Sequence, residues 1–123
     1  MPRIFTVGKE FRFEAAHSLP HLPEGHKCKR LHGHSYRFRV DISGPVDGRG
    51  FVIDYAEIHA AIFPLVEEKL DHRNLNDLLA KPTTAENLAA WLFTEVEDRI
   101  GRCHRITLWE TPTSVVVCEE GGE

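Results

Sequence analysis

At 123 residues, with 41% hydrophobic and 28% charged residues, the chain has the size and balance of one globular domain, residues 1–123. Fifteen basic residues against nineteen acidic ones give a formal net charge of -4, which argues against a nucleic-acid partner, whose footprint is a basic face. No apolar run is long enough to cross a membrane, Met1 to Val7 lacks the apolar core of a secretory signal, and Cys28, Cys103 and Cys118 are too few and too scattered for a disulfide framework; the expected location is the cytoplasm.

The first half reads as strands. Phe11, Phe13, Ala15 and His17 fall on alternate positions, which a strand puts on one face. A polar loop follows, roughly Pro20 to Arg30. Then His32, His34, Tyr36, Phe38, Val40 and Ile42 alternate with Ser35, Arg37, Arg39 and Asp41, a period-2 strand with one apolar face. Gly44 to Gly50 carries turn chemistry. Asp54 and Glu57 have the spacing of a capping box, and Ile58, Ile62, Leu65, Val66 and Leu70 form a helical apolar stripe. Pro64 sits inside that stripe, removes a backbone donor, and predicts a kink or a split. Asp71 to Asp77 is a polar break. A second helix opens at Thr83 or Thr84, with Glu86 near enough for a further capping box; Leu88, Leu92, Phe93, Val96 and Ile100 line its buried face, and Gly101 stops it. Ile106, Leu108 and Glu110 share a face of the next strand, and Val115 to Cys118 begin the last. The order ββααββ predicts an α+β domain with both helices on one face of an antiparallel sheet.

His32-Gly33-His34 is the sharpest chemical signal. Strand residues two apart point the same way and lie roughly 6–7 Å apart, so two imidazoles can lean onto one ion, and Gly33 leaves room for a close approach. His17, at the end of the preceding strand, reaches the same ion if the two strands pair. Three imidazoles suit zinc better than magnesium or calcium and leave the fourth position open for chemistry. The competing view makes His-Gly-His an ordinary strand end and His17 a core histidine. His21 and His26 are rival ligands that read better as solvated, as do His59 and His104.

Cys28 lies among Lys27, Lys29 and Arg30, cations that favour a thiolate. Beside a metal-bound substrate it could remove a proton; as a fourth metal ligand it would instead close the site. Cys103 and Cys118 read as inert. In Asp71-His72 the carboxylate can orient the imidazole, although neighbours often point apart, which would leave Asp71 as a helix cap and His72 solvated. Glu110, an acid on an apolar face, needs a partner, either a ligand with paired N–H donors or an arginine.

Phe13-Glu14-Ala15-Ala16-His17, Cys28-Lys29-Arg30-Leu31-His32-Gly33-His34, Leu70-Asp71-His72, Pro82-Thr83-Thr84-Ala85-Glu86-Asn87 and Trp109-Glu110-Thr111, in that order over nearly the whole chain, resemble the 6-pyruvoyl-tetrahydropterin synthase family. The spacing Cys-x-x-x-His-Gly-His is similar to that of its carboxy-tetrahydropterin branch, which serves queuosine and 7-deazapurine synthesis. The resemblance implies a tunnelling fold, with a four-stranded antiparallel sheet backed by two helices. It implies homo-oligomers, commonly hexamers, with active sites between subunits. It implies a lyase that turns 7,8-dihydroneopterin triphosphate into 6-carboxytetrahydropterin, acetaldehyde and triphosphate. By residue, it implies that His17, His32 and His34 bind Zn2+, that Cys28 abstracts a proton, that Asp71 and His72 form an acid/base dyad, and that Glu110 anchors the pterin ring. Lys27, Lys29, Arg30 and Arg73 are candidates for the triphosphate, and Thr84 and Glu86 for further ligand contact, although capping the second helix also accounts for that pair. Pyruvoyl-tetrahydropterin synthesis from the same substrate and a non-catalytic zinc module are the alternatives.

Overall fold

A computed structural model of the chain describes residues 3–121. Two long strands, β1 (Phe5–His17) and β2 (His32–Gly44), pair antiparallel from Phe5↔Gly44 to His17↔His32. The alternation does what a pleat requires, since Phe11, Phe13, Ala15 and His17 are all buried, as are Tyr36, Phe38, Val40 and Ile42 opposite. β2 pairs in turn with β4 (Arg105–Thr111), and β4 with β5 (Ser114–Glu119).

The expected four-stranded antiparallel sheet needs correction. The sheet has five strands in the order β3-β1-β2-β4-β5 and is mixed. The added strand, β3, is only Arg73–Asn74, and it runs parallel to β1 beside Ala15 and Ala16. It forms inside the segment read as a polar break. That segment also holds a 3-10 turn, Leu75–Asp77, whose Leu75 is fully buried.

Helix α1 (Tyr55–Leu65) starts as the sequence predicts, with the Asp54 carboxylate accepting the Ala56 N–H at 2.9 Å. The reciprocal half of the capping box is not made, because the Glu57 side chain pairs with Arg49 instead. Pro64 does not split the helix. The chain stays helical and passes directly after it into a π-helical turn, Val66–Leu70, where the Asp71 N–H reaches the Val66 carbonyl at 2.8 Å. Helix α2 (Ala85–Ile100) is capped by Thr84, which accepts the Asn87 N–H at 3.2 Å, and ends at Gly101 in the left-handed region, φ 98°. α1 packs toward β1, and α2 lies against β4 and β5. The core between the helices and the sheet is built from Phe38, Val40, Ile58, Ile62, Leu65, Leu88, Leu92, Ile106 and Leu108. Among the described residues, no helix is long and apolar enough to cross a membrane.

Candidate metal and active site

The last pair in the β1–β2 register, His17 opposite His32, sets the site. Two residues further along β2, His34 shares the face of His32. The three imidazoles meet edge to face, with ring centroids 4.6, 5.1 and 4.9 Å apart. One ligand-type nitrogen from each ring lies within 4.8 Å of the others, and this is the one such group of metal-ligand side chains among the described residues.

The ring protons follow from what surrounds them. His17 Nδ1 is 2.8 Å from the Thr83 carbonyl oxygen, and a carbonyl can only accept, so Nδ1 carries the hydrogen and Nε2 keeps its lone pair. His32 Nδ1 likewise donates to the Arg30 carbonyl at 2.7 Å. A metal-binding histidine is ordinarily held in this way, its second nitrogen tied to a backbone oxygen. His17 Nε2 and His34 Nε2 are buried without a hydrogen-bond partner. Burial is the chief cause that lowers the pKa of both His17 and His34, helped by the neighbouring histidines, which favours the neutral, ligating form. The donor set therefore fits a borderline cation such as zinc.

The strand end that carries His17 is fixed from below. Asn76 Oδ1 accepts the Ser18 N–H at 2.8 Å, and Asn76 Nδ2 donates to the Ser18 carbonyl at 2.9 Å. Asn76 and the buried Thr83 are the positioning residues that the sequence reading missed. Nothing marks Asn76 in a polar loop, and Thr83 reads only as an alternative to Thr84 for the helix cap.

Cys28 is half-buried in a short turn, Lys27–Lys29, pinned by its N–H to His26 Nδ1 at 3.1 Å and by its carbonyl to the Leu19 N–H at 2.9 Å. It lines a recess of about 280 Å³ with Lys27, His32 and His34. It is outside the cluster of ligand atoms. Lys29 is engaged by Glu24. His21, His26, His59 and His104 are exposed. Cys103 and Cys118 lie away from this recess, and burial pushes the Cys103 thiol up to about 12.

Asp71 and His72 do meet. Asp71 Oδ2 lies 3.1 Å from His72 Nδ1, while Oδ1 accepts the Glu14 N–H at 2.9 Å. The Glu14 amide, followed by His72, holds the Asp71 carboxyl below the ordinary carboxylate range. His72 stands at φ 59°, a left-handed conformation that few non-glycine residues adopt, and its N–H bonds the Glu14 carbonyl at 2.6 Å. Its side chain is 80% exposed. With Arg73, Glu14 and His34 it lines a second groove of about 560 Å³. Cys28 and His72 thus open onto different hollows, which share His34.

Glu110 comes to the histidines from β4, its Oε1 3.8 Å from His34 Nε2. Thr84 spends its hydroxyl on capping α2, and Glu86 is exposed in the first turn. Tyr36, edge-on to His34 at 5.5 Å, is buried with its hydroxyl unpartnered; burial, then Glu110, raises its pKa, so the hydroxyl stays protonated.

The chain is similar in sequence to enzymes of pterin metabolism. A 6-carboxy-5,6,7,8-tetrahydropterin synthase of Synechocystis sp. is 42% identical over 118 residues, 90% of each chain. One of Haemophilus influenzae is 32% identical, covering 95% of this chain and 100% of its own. The solved structure of Caenorhabditis elegans 6-pyruvoyl tetrahydropterin synthase superposes with a TM-score of 0.86 at 28% identity, covering 98% of both chains. The sequence profile described as 6-pyruvoyl tetrahydropterin synthase matches residues 6–121. The chain belongs to the 6-pyruvoyl tetrahydropterin synthase family of enzymes.

Proposed function

We propose that residues 1–123 form one zinc-dependent carbon–carbon lyase domain, cytoplasmic, converting 7,8-dihydroneopterin triphosphate to 6-carboxy-5,6,7,8-tetrahydropterin, acetaldehyde and triphosphate for queuosine and 7-deazapurine synthesis. The observation that carries it is the convergence of His17, His32 and His34, with the Nε2 atoms of His17 and His34 free of hydrogen bonds, beside a recess lined by Cys28. The 42% identity to a 6-carboxytetrahydropterin synthase supports this product over the pyruvoyl one.

His17, His32 and His34 hold the metal, which when bound supplies Lewis acidity toward the substrate's side-chain hydroxyls. Cys28, outside the ligand cluster, is the base that takes a proton from the side-chain carbon. Asp71 fixes the tautomer of His72 through Nδ1, which leaves Nε2 to give and take protons. Glu110 accepts the amidine-like N–H edge of the pterin ring, and Thr84 and Glu86 flank it at the start of α2. Lys27 and Arg73, each lining one of the two hollows, are the cations best disposed toward the triphosphate. Because Cys28 and His72 face different hollows, the working form is a homo-oligomer, a hexamer on the family pattern, in which neighbouring copies complete each site.

Incubating zinc-loaded protein with the triphosphate substrate and identifying products by mass tests the reading. Acetaldehyde with 6-carboxytetrahydropterin supports it; 6-pyruvoyl-tetrahydropterin without acetaldehyde shifts the assignment to the sister reaction. Cys28→Ala is expected to keep its zinc and lose turnover by about 100-fold or more. Loss of zinc in that variant would instead make Cys28 a closing ligand of a structural centre.

A further inference from the structure

Tyr36 is 1% exposed, and its hydroxyl has no hydrogen-bond partner. A buried hydroxyl is ordinarily hydrogen-bonded, so one left unpaired calls for an explanation. Packing does not require the hydroxyl. The ring stacks on Phe13 at 4.9 Å and 10°, a contact that phenylalanine would make equally well.

The hydroxyl's neighbours suggest its use. Tyr36 and Glu110 are the next residues of β2 and β4 past Arg37–Trp109, the last pair of their ladder. Both lie on the helix-facing side of the sheet, beside His34. Glu110 is also poorly served. Its nearest basic nitrogen, His34 Nε2, stands at 3.8 Å, beyond hydrogen-bond range. A nitrogen whose lone pair holds a metal has no hydrogen to give a carboxylate. A carboxylate short of a donor and a buried donor short of an acceptor therefore stand on neighbouring strands, both beside His34.

We infer that Tyr36 is a positioning residue for Glu110, donating its O–H to one carboxylate oxygen and keeping that group turned toward the ring of the bound pterin. This rests on the proposed pterin reading of Glu110. Each carboxylate oxygen has two lone pairs, so the Tyr36 bond leaves room for the ring's paired N–H groups.

The test is a thermodynamic cycle read by neopterin fluorescence titration on zinc-loaded wild type, Tyr36→Phe, Glu110→Gln and the double variant. Tyr36→Phe is expected to keep its melting temperature and zinc content and to weaken neopterin binding about tenfold, the loss of one hydrogen bond to a charged group. KM should rise by a similar factor while kcat changes little. In the Glu110→Gln background the same change should have no further effect. Wild-type-like binding by Tyr36→Phe, or equal losses in both backgrounds, overturns the inference. So does loss of fold or of zinc in Tyr36→Phe, which would mark the hydroxyl as structural. A wild-type protein that neither binds neopterin nor turns over the triphosphate overturns the pterin reading itself, and this inference with it.

Discussion

Backbone carbonyls decide the chemistry of the histidine cluster. Thr83 and Arg30 each take a ring hydrogen, from His17 and His32, so the nitrogens aimed at the shared space are lone-pair donors before any metal arrives. Removing one ring, as in His17→Ala, is expected to lower zinc affinity at least about 100-fold, read by competition with a chelating dye. The same burial that readies the rings leaves a mark on stability. His17 and His34 have folded pKa values below the ordinary 6.5, so between the folded and unfolded values the unfolded chain binds more protons. Stability then rises with pH across that window; it is fully present above about 6.5 and is lost as pH falls toward the folded values. Urea midpoints of the zinc-free protein should therefore drop between pH 7.5 and pH 5.5, and a His17→Gln, His34→Gln double variant should flatten that slope. An equal slope in both proteins would mean the two imidazoles are not the source.

At the scale of elements, Gly8 on β1 matters because of what crosses over it. On the helix-free face, the buried Asp41 binds Arg39 at 2.7 Å and Arg105 at 3.0 Å. Gly8 is its partner on β1, and a Cβ there would stand 2.3 Å from Arg39 Nε and 2.5 Å from Asp41 Oδ1. Gly8→Ala should push the guanidinium off the carboxylate and destabilise by about 1–3 kcal/mol, while Gly48→Ala, with nothing within 4 Å, should be close to neutral in the same urea titration. How much was legible in the sequence divides along a similar line. β1, β2 and α2 declared themselves because burial imposes period 2 or 3.6 on their own residues. His-Gly-His was legible as a ligand pair for the same reason. β3 was not, because two residues carry no period; what holds it is the turn at His72 and the Asp71 carboxylate on Glu14, both contacts to a distant strand. The passage from α-helix to π-turn after Pro64 escaped as well, since proline announces a missing donor but not how the next turn compensates. Glu110 was legible as an acid out of place on an apolar face. Tyr36 fell into the apolar alternation, and whether its hydroxyl finds a partner depends on residues more than seventy positions away in sequence.

The whole molecule leaves both sides of its sheet open. Among the described residues, β1 meets β3 only at Ala15 and Ala16, so most of its outer edge has no strand against it, and β5 closes the other end of the sheet with a bare edge. Near these edges Phe5 is 46% exposed, Val115 56% and Val117 51%. Unpaired strand edges with exposed apolar residues invite pairing with another chain unless they are blunted. Two different edges on one subunit pair head to tail, and such contacts close into rings when the rotation allows. Val117→Lys tests the proposed assembly. On a lone chain the substitution lies on the surface and should change stability by no more than about 0.5 kcal/mol; between paired copies it would bury an unmatched charge, which is costly. The expected result is a smaller species by light scattering, with zinc content retained and turnover lost, because in the proposed oligomer the three histidines come from one chain while Cys28 and His72 act together across neighbouring copies. Full activity in a demonstrably monomeric Val117→Lys protein would show that one chain suffices and remove the reason for placing the active site between subunits.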